Sequence, residues 1–184
     1  MKQCIVLLLF LSSCFALDEP DPKAHFIGVM PLGLLSATLG ANYEYVAAQH
    51  HGVFVEGYYT LPLIQEGHGA AGGYRYHFYR PSKGPFIGPV FSYGTLTGKL
   101  PDEDRNEYEY TLEYFLSGFD WGYRGTVFDF LNFTFRFGLG YPVATVTWKD
   151  QPPEKIGGIS IEGIENFMKL ATCLDGEITV FWSF

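Results

Sequence analysis

Between Leu131 and Tyr141 the chain alternates without interruption. Leu131, Phe133, Phe135, Phe137, Leu139 and Tyr141 occupy one parity; Asn132, Thr134, Arg136, Gly138 and Gly140 occupy the other. A period of two is that of a β-strand, whose successive side chains point to opposite faces. In a soluble sandwich the apolar row packs inward and the polar row meets water. Here small and charged residues make up the second row, too polar for a dry, close-packed core if that row points in. They suit the lumen of a narrow barrel whose aromatic row is turned out to lipid. Strands in hydrocarbon must close on themselves, because every backbone polar group there needs a partner.

The pattern recurs along the chain. Eight strands are expected, over about 26–35, 37–47, 53–60, 69–80, 86–99, from 108, from 131, and at the chain end over 177–184. In the second strand Leu39, Ala41, Tyr43 and Tyr45 face away from Gly40, Asn42 and Glu44. In the fourth, Tyr74, Tyr76 and Phe78 form the outer row, and Gly73, Arg75 and His77 the inner. The fifth sets Ile87, Phe91 and Tyr93 against Gly88, Ser92 and Gly94. In the sixth, Tyr108, Tyr110, Leu112 and Tyr114 are read as outer, with Glu109, Thr111 and Glu113 opposite. Phe119, Trp121 and Tyr123 lie on the other parity, so a β-bulge is expected near Ser117-Gly118. Pro142 is expected to break the seventh strand's register. The connection after Lys149 is the longest and has room for a short helix near Ile164–Leu170.

Composition agrees with strands. Aromatic residues make up 18% and charged residues 17%, with 22 glycines. Tyr and Phe favour strands and glycine disfavours helices. A net charge of −8 argues against a nucleic-acid partner. Of the three cysteines only Cys173 lies away from the N-terminus, which leaves no disulfide framework and no cysteine zinc site.

The N-terminus reads as an export signal over 1–16. Lys2 is its positive start, Ile5–Leu11 its apolar run and Ser12–Ala16 its small-residue end. The apolar run is too short to span a bilayer. Cleavage after Ala16 is the favoured route. Leu11-Ser12-Ser13-Cys14 resembles a lipobox, so lipidation at Cys14 is the alternative. A polar lead-in over 17–25 then precedes the barrel, 26–184.

The chain ends in Ile178, Val180, Trp182 and Phe184 on alternate positions. This ending resembles the C-terminal assembly signal of bacterial outer-membrane barrels. With the export signal and the alternating strands, the whole resembles a small eight-stranded barrel of the OmpA/OmpX type. The stretch Leu39-Gly40-Ala41-Asn42-Tyr43-Glu44-Tyr45 is similar to the second strand of uncharacterised OmpW-like barrels. The resemblance implies an all-β, antiparallel, up-and-down transmembrane barrel in the outer membrane. It further implies outer-membrane lipid and the barrel-assembly machinery as partners, and a monomer. Connections 2–3, 4–5 and 6–7 are short, whereas 3–4, 5–6 and 7–8 are longer and polar, as periplasmic turns and outer loops should be.

The expected lumen row carries Glu44, Glu56, Glu109 and Glu113 with Arg75, His77 and Arg136. Buried charges must pair or keep water, so a salt-bridged plug with a structural or surface-interaction role (membrane integrity, loop-mediated binding) is the leading reading, and a small pore or hydrophobic-ligand conduit the alternative. A lipid A-modifying enzyme would need a serine and a histidine within reach of a carboxylate. None of His25, His50, His51, His68 and His77 lies in a segment that suggests it, and no catalytic residue is assigned. Neighbouring strand residues point apart, so His50 and His51 make a poor metal pair. The acidic 101–107 loop lacks calcium-loop spacing. No cofactor or metal is expected. A soluble periplasmic β-barrel binder is the remaining alternative.

Overall fold

The computed structural model describes residues 25–31, 37–62, 65–128 and 131–184. The export signal, Cys14 and most of the lead-in lie outside the described residues. Eight strands form a closed antiparallel barrel: β1 (His25–Val29), β2 (Thr38–Ala48), β3 (His51–Thr60), β4 (Gln65–His77), β5 (Gly84–Pro101), β6 (Glu107–Phe128), β7 (Leu131–Trp148) and β10 (Leu174–Ser183). Each pairs with its chain neighbour, and β10 closes the ring against β1. A two-residue hairpin, β8 (Lys155–Ile156) with β9 (Ile159–Ser160), and a helix, α1 (Ile161–Ala171), fill the connection between β7 and β10. The expected up-and-down barrel is therefore the observed fold.

The rows fall as the period-two pattern requires. On β7, Phe133, Phe135 and Leu139 are exposed, while Asn132, Thr134 and Arg136 are buried. On β3, Val53 and Val55 face out and Phe54 and Glu56 face in. The barrel is consequently apolar outside and charged inside. Among the described residues its apolar interior clusters are small, namely Phe26, Val46 and Phe181, and Phe54, Ala71 and Val90.

The start of β1 and the end of β10 share one rim. His25 N–H donates to the Phe184 carbonyl, and the Phe184 N–H donates back. The β2–β3, β4–β5 and β6–β7 turns open at this same rim, here called the terminal end; α1 and the 102–106 loop lie at the far end.

Three expectations change. β6 pairs with both neighbours in unbroken register through Ser117 and Gly118, and its register shift falls between Thr126 and Phe128 instead. No bulge is present at Ser117-Gly118. β7 runs through Pro142 without a break. The reason is the free edge: the Gly140 N–H bonds Cys173 beyond the start of β10, and a residue two further along points to the same side, past the last partner. Proline is tolerated where no ladder donor is needed. The helix is longer than expected. Ser160 caps it by accepting from the Gly163 N–H at 3.2 Å, with Glu162 in its first turn and Lys169 in its last, signs that suit the helix dipole.

Candidate functional site

Every other residue of a barrel strand enters the lumen, and eight strands leave an interior just wide enough for side chains to fill or for one small ligand. Five of the expected lumen residues meet there. The Glu44 carboxylate on β2 accepts from Arg75 Nη1 at 2.8 Å and from Arg124 Nη2 at 2.7 Å. Its other oxygen lies 2.5 Å from His77 Nε2. Glu56 on β3 accepts from Arg136 Nη2 at 3.0 and 3.2 Å and from Asn42 at 3.2 Å. Asp120 sits between Arg75 and Arg136, 3.6 and 3.5 Å from their nitrogens.

Three guanidiniums thus face three carboxylates, none of them more than a tenth exposed. Removing one member would strand a buried charge, so the set stands or falls together. The cations are further held by rings. Arg75 lies 3.8 Å from the Phe54 ring centre, and Arg124 is sandwiched between Phe26 and Phe181 at 4.5 and 4.7 Å. Such contacts strengthen when desolvated. Arg124 also donates to the Pro81 carbonyl and to Thr134, tying the network to the β4–β5 turn. Gly52 allows it locally: a Cβ there would overlap the Glu44 carboxylate.

Two residues of the expected lumen row lie elsewhere. Glu113 is exposed on the outer row of β6, the row of Phe115 and Phe119. Glu109, of the same parity, is 3.3 Å from exposed Lys149 at the far end. The inner row of β6 is instead Tyr110, Leu112, Tyr114, Leu116, Asp120 and Arg124. Asp120 and Arg124 were not anticipated. The parity of Phe119, Trp121 and Tyr123, carried backwards without a bulge, would have found both.

The reason tyrosines enter is glycine on the neighbouring strand. Gly94 pairs with Tyr114 and Gly98 with Tyr110, so the rings lie over bare backbone. Tyr58 reaches from β3 to meet the Tyr114 hydroxyl in a close hydrogen bond. Above this clasp lies a cavity of about 330 Å³, roofed by α1.

On the outer row, Ile178, Trp182 and Phe184 are exposed and Val180 is half-buried. His50 bonds the His77 carbonyl at 2.7 Å and His51 bonds the Tyr74 hydroxyl at 2.5 Å. Among the described residues no His, Cys, Asp and Glu cluster could hold a metal. Cys173 is a free, half-buried thiol.

No protein-family model and no curated protein matches the sequence. Among solved structures, the chain is similar to Acinetobacter baumannii CarO, with a TM-score of 0.46, 8% identity, and coverage of 91% of this chain and 100% of that one. It is similar also to Acinetobacter baumannii CarO2, with a TM-score of 0.42, 10% identity and the same coverage, 91% and 100%. The closed strand ring described above defines the architecture independently of these likenesses.

Proposed function

We propose that the chain is a bacterial outer-membrane β-barrel protein with a structural or surface-interaction role. Its lumen is braced shut, and its far-end loops and α1 meet the outside. The observation that carries this is the inverted barrel: large apolar and aromatic residues form the outer belt, and a charge-balanced network fills the interior. Phe119, Phe135 and Val55 are each more than half exposed. A contiguous apolar surface of this kind has no place in water, whereas a lipid-facing barrel requires one. At the terminal rim Tyr45, Tyr76, Phe78, Tyr123 and Trp182 are exposed, as expected of a girdle at a membrane interface.

Planar-bilayer recording with the purified barrel tests the braced lumen. The proposal expects no steady ion conductance. Stable conducting steps would replace the plug by the pore reading. A change in lipid A mass on expression would turn the assignment to an enzyme, and solubility without detergent would turn it to a soluble binder.

A further inference from the structure

The cavity above the brace lies between two different surfaces. Its floor is Glu56, held by Arg136, and its roof is Phe167 and Met168 of α1. The wall carries Tyr58 and Tyr114 among leucines such as Leu112. At about 330 Å³ it falls at the small end of ligand pockets.

Its chemistry is selective. Among the described residues no lysine or arginine lines it, so an anion would find no counter-charge there. The carboxylate at its floor already receives two hydrogen bonds from Arg136, so a second cation would gain little for its desolvation. What remains is a neutral molecule with a flat apolar body and one hydrogen-bonding group. The phenol hydroxyls of Tyr58 and Tyr114, bonded to each other, can still accept from such a group through their remaining lone pairs. Met168 adds a soft surface suited to a ring.

We propose that this cavity is a binding site for a small neutral aromatic amphiphile, reached from the far end beneath α1. No side chain of α1 is buried, and Phe167 is 71% exposed although it lines the cavity. The roof is therefore the wall whose displacement breaks least packing. The proposal rests on the interior alone and holds whether the outer belt meets lipid or detergent. The brace below makes the site a dead end and not a passage.

The test is fluorine NMR titration of 4-fluorophenol into the detergent-folded chain, with empty micelles as blank. Saturable, one-site binding is expected in the wild type and in the belt variant Phe119→Leu. Two variants that fill the cavity, Leu112→Trp from the wall and Met168→Trp from the roof, should each weaken binding by about tenfold or more. Should Leu112→Trp not fold, Met168→Trp decides, since α1 buries nothing on which the barrel depends. 4-Fluorobenzoate should bind more weakly than the phenol. A linear signal equal to that of empty micelles, or binding unchanged in Met168→Trp, would overturn the proposal. Equal binding of the benzoate would overturn the neutral-ligand assignment.

Discussion

Arg124 on β6 and Glu44 on β2 form a 2.7 Å ion pair between strands that lie opposite each other in the ring, four strands apart in either direction. Arg136 on β7 and Glu56 on β3 repeat the relationship. Two diametric braces, linked through Asp120, cross the barrel where a channel would otherwise run. Neither pair could form in an open sheet, so each reports closure.

The braces predict a strong, non-additive stability effect. Glu44→Gln should cost about 3–5 kcal/mol, because buried Arg75 and Arg124 lose the carboxylate they share, and Asp120 remains to Arg75, at 3.6 Å. Glu44→Gln with Arg124→Met should recover part of that loss, since the second change removes one stranded cation. Urea unfolding in lipid vesicles measures both. Additive losses would show that the two residues do not act as a pair.

The two rows of β7 should respond differently to substitution. Phe135→Arg should destabilise the barrel by about 2–4 kcal/mol if its row meets the mid-bilayer. Thr134→Ser keeps the hydroxyl that accepts from Arg124 at 3.0 Å and should change stability by about 0.5 kcal/mol or less. The shift from the fast-running unheated gel band to the slow one, followed against temperature, orders the variants.

The glycine beneath the tyrosine clasp is a steric requirement. A Cβ at Gly94 would run into the Tyr58 hydroxyl and the hydroxyl end of Tyr114, so Gly94→Ala should cost about 1–3 kcal/mol. Tyr58→Phe removes only the hydroxyl pair and should cost about 1 kcal/mol. Thermal unfolding of the two variants separates crowding from hydrogen bonding.

The 102–106 loop carries a pH-dependent turn. Asp102 accepts from the Asn106 side chain at 2.9 Å and from its backbone N–H at 2.8 Å. The Asn106 side chain, with backbone N–H groups and Tyr108 adding to it, holds the Asp102 carboxyl below its ordinary value. A depressed acid stabilises the turn above its unfolded pKa, and that contribution is lost as pH falls through the folded value. Exchange of the Asn106 amide should accelerate, relative to the intrinsic rate, on acidification through that window. Asp102→Asn should remove the dependence.

Much of the fold was legible because alternation reports the face directly. β7, β4 and β5 read correctly from parity alone, and five lumen residues followed: Glu44, Glu56, Arg75, His77 and Arg136. β6 misled because tyrosine is amphipathic. Alternation alone places Tyr110 and Tyr114 on the belt, whereas glycines on β5 give them room inside. Which glycine lies opposite which tyrosine depends on strand register, and a single strand's pattern does not contain it. The misread first half of β6 then demanded a bulge and hid Asp120 and Arg124. Pro142 misled for a different reason, since its tolerance depends on where β10 begins.

The aromatic row is expected to face lipid. Tryptophan quenching by brominated acyl chains tests it directly, using single-tryptophan variants that retain Trp121 or Trp148. Trp121 lies exposed on the outer row beside Phe137, whereas Trp148 is at the far end, bonded to Glu165 at 2.9 Å. In vesicles the emission of Trp121 should fall strongly with bromine in the chains, and that of Trp148 should change little. Unquenched Trp121 in a folded, vesicle-associated chain would contradict the lipid-facing belt.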